Sequence, residues 1–225
     1  MAKPPLAGLV KTRLIRSIGA QRAADVHAAM LDCVLTRAAA VFPPARGHRL
    51  VLSFALDLVD PDDKASSMGL GVQPGPDWTV VRQGRGDLGQ RLDHAWLEQG
   101  GGPTVFLGSD SPDVPLPALT EIERALSMSD VAIGPTEDGG YWTLGANRRD
   151  PRILSGIDWG TSKVYHQSRA ATQRAALDLT ELPRWFDIDE PSDFELLRRR
   201  LTVTHEPVLR RLAARLDQIC KDLLP

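Results

Sequence analysis

The chain has 225 residues, 42% hydrophobic and 25% charged. That is enough for one domain with a sizeable core, or one domain with a small appendage. A net charge of -2 gives no reason to expect nucleic acid or an anionic membrane surface as a partner, although residues 1–16 carry Lys3, Lys11, Arg13 and Arg16 and no acid. No apolar run approaches the ~18 residues of a membrane span, and nothing at the start resembles the apolar core of a signal peptide. The two cysteines, Cys33 and Cys220, have no metal-ligand spacing and read as free buried thiols in a reducing cytoplasm.

In chain order, the alanine-rich residues 20–41 predict a helix that Pro43-Pro44 stops. Residues 49–56 form a continuous apolar strand of the kind buried on both faces of a parallel sheet. Residues 57–78 are rich in Pro, Gly, Asp and Ser and read as loop, with a helical turn near Asp62–Met68. Thr79–Arg82 is a short strand, Leu88–Gln99 a helix ended by glycines, and Thr104–Gly108 a buried strand. Pro115 and Pro117 open a helix over Leu116–Met128. Strands follow at Asp130–Gly134 and Tyr141–Gly145, then a helix over 161–178, a strand at Trp185–Asp189 and a helix from Pro191 to about Leu201. Leu209, Leu212, Leu216, Ile219 and Leu223 mark a last amphipathic helix, open to packing on its own domain or to a homodimer contact. Alternating strands and helices give an α/β layered fold with a mostly parallel sheet, and in such sheets ligands bind beyond the carboxyl ends of the strands.

Five segments carry chemistry. In Pro5-Leu-Ala-Gly8-Leu-Val-Lys11-Thr-Arg13 a glycine loop lets backbone N–H groups approach an anion, a following helix would aim its N-terminus at it, and Lys11 and Arg13 supply positive charge. The alternative is an exposed basic terminus. In Gly108-Ser-Asp110-Ser-Pro-Asp113 a carboxylate follows a buried strand, where magnesium or manganese takes one or two acids together with substrate phosphates. The alternative is that Asp110 caps the turn, and Asp113 reads better as a cap of the next helix. In Gly86-Asp87-Leu-Gly89-Gln-Arg91, Asp87 reads as an N-cap and Arg91 as a cap-region residue or an anion contact. Gly134-Pro-Thr-Glu137-Asp138-Gly139-Gly140-Tyr141-Trp142 reads as an Asp-Gly hairpin turn, or as a backbone-lined ligand contact with aromatics that stack on a base or sugar. In Phe186-Asp187-Ile-Asp189 the two acids would share one strand face, with Ser192 or Asp193 starting the next helix. Neither cysteine has a histidine partner at a motif spacing, so direct transfer to an acceptor suits the chain better than a covalent intermediate.

Taken together, KPPLAGLVKTRL, DLGQRL, GSDSPDVP, GPTEDGGYWTLG, WGTSKV and DIDEPSDFELL, spread over residues 3–200, resemble a bacterial family with a glycosyltransferase-A, or nucleotide-diphospho-sugar transferase, fold. Its members are labelled radical-SAM/selenodomain-associated transferase 1 or arsenosugar-biosynthesis glycosyltransferase. The resemblance implies a three-layer, Rossmann-like αβα domain over 1–200 and a helical appendage over 201–225. It implies Lys3, Gly8, Lys11, Arg13 and Arg91 at phosphates, with Lys11, Arg13 and Asp110 catalytic, and Asp110 and Asp189 on magnesium or manganese. Asp138, Gly139, Gly140, Tyr141, Trp159 and Thr161 would line the sugar or acceptor site, with Gly160 beside them and Asp187 behind the metal ligands. Relatives begin with an apolar strand before the KPP segment. Only Met1-Ala2 precede Lys3 here, so the first strand is expected to be missing or shortened.

The function so implied is a metal-dependent transferase with a nucleotide-activated donor, foremost a glycosyltransferase using a nucleotide sugar. A nucleotidyltransferase acting on an NTP and a phosphorylated acceptor is the alternative, and a non-catalytic nucleotide or sugar binder is a third. The expected partners are the donor and a small-molecule acceptor.

Overall fold

Alanine has the highest helix propensity, and residues 20–41 form the longest helix of the computed structural model, which describes residues 1–55, 72 and 74–221. The described chain divides into two compact units. A sheet unit takes Met1, Arg82–Gly108 and Val114–Asp187, and a helical unit takes Ala2–Val81, Ser109–Asp113 and Ile188–Pro225. The chain therefore passes from one unit to the other after Met1, Val81, Gly108, Asp113 and Asp187.

The helical unit begins with the loop 4–11, a 3-10 turn at Thr12–Leu14 and the short helix α1 (Ile15–Ile18). Helix α2 is Ala20–Val41, and strands β1 (Leu50–Phe54) and β2 (Trp78–Arg82) pair with each other. Ala2 makes a parallel bridge to Phe54, with Ala2 N donating to Ser53 O at 2.9 Å and Ala55 N to Ala2 O at 2.9 Å. The expected first strand is thus reduced to one paired residue. The loop expected over 57–78, with its turn near Asp62–Met68, lies outside the described residues apart from Val72 and residues 74–78.

Within the same unit, one apolar cluster joins Leu14 and Ile18 to Val26 and Met30 and to Ile188, Phe194, Leu197, Leu209, Leu212 and Leu216. The segment Ala20–Arg46 holds an 18-residue stretch of mean hydropathy 1.3, long and apolar enough to cross a membrane by composition, which the sequence reading did not anticipate. Of that stretch, 67% is buried inside the protein.

In the sheet unit, helix α3 (Leu88–Glu98) starts with a capping box: Asp87 accepts from Gln90 N at 2.9 Å and Asp87 N donates to the Gln90 side chain at 3.0 Å. Strand β3 is Thr104–Leu107, helix α4 Leu116–Met128, and strands β4 and β5 are Val131–Pro135 and Tyr141–Ala146. Helix α5 is Val164–Arg174 and strand β6 is Leu179–Glu181. The sheet order is β3-β5-β4-β6. Strand β5 runs antiparallel to both neighbours and β4 runs parallel to β6, so three strands share a direction and β5 is reversed. All five residues of β4 are buried, matching the continuous apolar run in its sequence.

Two expected elements differ. Helix α5 is shorter than 161–178 because Gly160 (φ 78) precedes a turn over Thr161–Lys163, and Ala176 (φ 56) ends the helical backbone. Trp185–Asp189 is not a strand: Trp185 makes one parallel bridge to Thr136, and β6, with its three residues, takes the sheet position instead.

The remaining helices, α6 (Pro191–Thr202) and α7 (Pro207–Ile219), belong to the helical unit. Helix α7, expected as an appendage after residue 200, supplies Leu209, Leu212 and Leu216 to that unit's core.

Candidate functional site

Loop 4–11 ends on an unusual backbone. Leu6 N donates to Pro4 O at 2.8 Å and Leu9 N to Leu6 O at 3.0 Å, with Gly8 turning at φ 85. Lys11 then adopts φ 45 and ψ 43, the left-handed region that side chains other than Gly and Asn rarely enter. That turn sends the Lys11 side chain inward, where it is 2% exposed.

Its ammonium uses three donors on three acceptors: an oxygen of Asp110, the Ile188 carbonyl at 2.6 Å and Asp189 Oδ1 at 2.9 Å. The two aspartates expected at the cation site therefore converge on one point, and that point is held by Lys11. Burial alone would push the Lys11 pKa down, but Asp110 and Asp189 beside it hold it above its ordinary value. Burial likewise pushes Asp110 up, and the Lys11 ammonium overrides it and holds the carboxyl below its ordinary value.

The supports of the two carboxylates come from distant parts of the same unit. Ile188 is fully buried and its N–H donates to Asp110 O at 2.9 Å, which ties the two acid-bearing segments together. Asp193 accepts from Asp189 N at 3.1 Å and Glu190 N at 2.7 Å, so Asp193 rather than Ser192 orders the start of α6. Pro112 O accepts from Arg37 Nη1 at 2.7 Å, and Arg37 also pairs with Glu206 at 2.7 and 3.0 Å. Asp113 does not cap α4, whose N-cap is Pro115. It is buried and bonded to Arg200 Nε at 2.6 Å.

Of the other basic residues, Arg13 is 63% exposed and pairs with exposed Glu190 at 3.2 Å. Lys3 is exposed, and its carbonyl contacts His27 Nε2 at 3.0 Å. The helix expected to aim its N-terminus at an anion is only the four-residue α1 after a 3-10 turn. His27, Arg37, Arg200 and Glu206 escaped the sequence reading. A histidine and an arginine inside an alanine-rich apolar helix were the available signal. His27 is buried, its Nδ1 has no partner among the described residues, and burial with Lys11 and Lys3 nearby pushes its pKa down against the pull of Asp110.

The residues expected at the sugar or acceptor lie in the sheet unit and gather there. The turn between β4 and β5 is an Asp-Gly hairpin turn in which Asp138 Oδ1 accepts from Thr136 Oγ1 at 2.5 Å and Gly140 N at 2.9 Å. Gly139 has φ 90, and a Cβ there would sit 2.1 Å from Ser162 O, so only glycine fits. Tyr165 N donates to Gly139 O at 2.8 Å. Tyr141 meets Trp159 edge to face at 6.4 Å between centroids. The Tyr141 hydroxyl is buried with no partner among the described residues, and burial raises its pKa. Thr161 Oγ1 donates to Asp158 O at 2.8 Å. Gly89 packs against the Trp159 indole, where a Cβ would lie 2.6 Å from Nε1. A cavity of about 470 Å³ is lined here by Gly89, Gln90, Asp93, Leu154, Asp158 and Trp159. Arg91, in the same unit, donates from Nε to Gly86 O at 2.8 Å.

Two carboxylates on one point are a hard oxygen donor set of the kind magnesium or manganese accepts alongside phosphate oxygens. Among the described residues no group of three or more His, Cys, Asp or Glu side chains converges. The donor chemistry fits such an ion at Asp110 and Asp189, with Lys11 as the present occupant of the point between them.

Residues 35–161 match the family described as an uncharacterised protein conserved in bacteria, DUF2064. Among solved structures, the chain is similar to a candidate nucleotide-diphospho-sugar transferase from Desulfovibrio desulfuricans G20, with a TM-score of 0.77, 28% identity, and coverage of 97% of this chain and 95% of that one. It is also similar to a cytidylyltransferase from Leptospira borgpetersenii serovar Hardjo-bovis (strain JB197), at a TM-score of 0.51 and 14% identity over 86% of this chain and 83% of that one, a likeness of fold alone. No curated protein matches. The glycosyltransferase-A-like α/β fold expected from the motifs is the fold this chain has.

Proposed function

The chain belongs to the DUF2064 family, and we propose that it is a transferase using a nucleotide-activated donor, with a nucleotide sugar as the donor class and divalent-cation dependence. The observation that carries this reading is the convergence of Asp110 and Asp189 on the buried Lys11 ammonium, on a fold like that of the candidate nucleotide-diphospho-sugar transferase. The motif order that resembles the radical-SAM/selenodomain-associated transferases supports the same donor class.

Asp110 and Asp189 would hold the ion through carboxylate oxygens. When bound, magnesium or manganese neutralises charge on the departing nucleoside diphosphate. Arg13, exposed and paired with Glu190, would meet phosphate oxygens with a two-donor fork. Gly8 keeps the loop backbone open where a ligand approaches, since nothing lies within 4 Å of the position a Cβ would take. Asp138, Gly139, Gly140, Tyr141, Trp159 and Thr161 form the proposed sugar or acceptor contacts, with aromatic edges and hydroxyl acceptors suited to a polyhydroxylated ligand. Lys11 has no donor left for a phosphate in its present position.

The test is thermal stabilisation by a panel of nucleoside triphosphates and nucleoside-diphosphate sugars, with and without manganese, in wild type and Asp110→Ala. A ligand at about a hundred times its dissociation constant adds roughly 2.7 kcal/mol. A manganese-dependent shift with nucleotide sugars that is lost in Asp110→Ala is the expected result. A shift with triphosphates only would move the reading to nucleotidyl transfer, and no shift with any ligand would refute a nucleotide-dependent function.

A further inference from the structure

We infer that Lys11 is the resident counter-ion of the Asp110–Asp189 pair, and that a divalent cation and the Lys11 ammonium compete for the same two carboxylates. The inference rests on the proposed reading of these aspartates as cation ligands and deepens it by assigning what they hold otherwise.

The geometry carries it. The ammonium sits between Asp110 and Asp189 with its third donor on the Ile188 carbonyl, so it is satisfied and fixed. Its side chain is 2% exposed, whereas each aspartate side chain is 45% exposed. Solvent therefore reaches the acids and not the lysine. A divalent ion needs carboxylate oxygens at about 2.0–2.1 Å, closer than the 2.9 Å from Lys11 to Asp189. Two cations on the same pair of carboxylates repel each other, and the buried one has only these acids and one carbonyl to neutralise it. Lys11 is also one of two non-glycine residues with positive φ among the described residues, a strained backbone that its side-chain contacts hold in place.

Release of Lys11 does two things at once. It opens both carboxylates to the divalent ion, and it returns three donors to a flexible side chain within reach of the loop where phosphates are proposed. Cation binding and phosphate binding then favour each other, by linkage through one side chain. Lys11 acts in this way as a positioning residue that keeps the two acids together and neutralised until the substrate arrives.

The experiment is manganese binding followed by electron paramagnetic resonance, without nucleotide, in wild type, Lys11→Met and Lys11→Gln. Both variants should bind manganese at least tenfold more tightly than wild type, and inorganic pyrophosphate should narrow the gap by tightening wild type. In wild type alone, saturating manganese without pyrophosphate should raise acetylation of Lys11 by acetic anhydride, read by mass spectrometry against exposed Lys3 and Lys163. That arm does not depend on a variant that folds. Equal or weaker manganese binding in the variants, or Lys11 acetylation unchanged when manganese is bound, would overturn the competition while leaving the aspartates as cation ligands. Absence of manganese binding in every protein, with and without pyrophosphate, would remove the cation reading and this inference with it.

Discussion

At Lys11 the chain spends an unfavourable backbone conformation and three charged hydrogen bonds on a single buried ammonium. The pair has a pH signature. Asp110 is held below its ordinary value in the folded protein, so it contributes stability that is present above its unfolded pKa, about 3.9, and lost as pH falls through the lower folded value. Lys11 is held above its ordinary value, so its contribution is complete below about 10.4 and lost as pH rises through the higher folded value. Urea unfolding as a function of pH should show both limbs. Asp110→Asn should flatten the acid limb and shrink the alkaline one, because Asp189 alone then faces Lys11. Sequence pattern singled out Lys11, Asp110 and Asp189 as residues of interest. It could not show that one lies between the other two, since they are 99 and 178 positions apart in the chain.

Among the elements, those with a strong local signal were legible. Alanine content marked α2, Pro115 and Pro117 marked the start of α4, and the Asp87 cap marked α3. Replacing Asp87 with Ala should destabilise the fold by about 1 kcal/mol in thermal unfolding, the usual loss for such a cap. Gly139→Ala should cost more than about 1 kcal/mol, because the new side chain meets both a positive φ and the Ser162 carbonyl. It should also disturb the neighbouring Tyr165 N–H bond to Gly139 O, seen as faster amide exchange at Tyr165. The misread stretch was Trp185–Asp189. Its aromatic and alternating residues look like a strand, but its partners are decided by distant segments: Trp185 bridges Thr136, and Ile188 bonds Asp110 and fills the helical core. Strand β6 was missed for the opposite reason, having three residues and little local pattern. Asp113 was misread as a cap because its partner Arg200 is 87 residues away.

For the whole molecule, burial makes two predictions. Leu216 is fully buried in the cluster that joins α2, α6 and α7, and Leu216→Ala should lower the unfolding free energy by about 2–5 kcal/mol in denaturant titration. A loss near zero would mean that α7 contributes little to the core. Cys33 and Cys220 are both buried free thiols, and burial pushes Cys33 up to about 12 and raises Cys220. Thiol reagents at neutral pH should therefore label neither in the native protein, and label both together across the unfolding transition. Reaction of Cys33 under native conditions would show that α2 opens locally.

The spacing of the Lys11 contacts also has a meaning in time. During synthesis Lys11 leaves the ribosome well before Asp110, and Asp189 follows Asp110 by 79 residues, about 4–16 s at ordinary elongation rates. Through that interval the nascent chain has one carboxylate and no Ile188 carbonyl with which to satisfy the ammonium, so Lys11 stays hydrated and the loop that carries it stays unlocked. Closure of the triad marks the moment when a polypeptide has been translated past Asp189, and a ribosome stalled earlier would hold a chain whose charged centre cannot yet form.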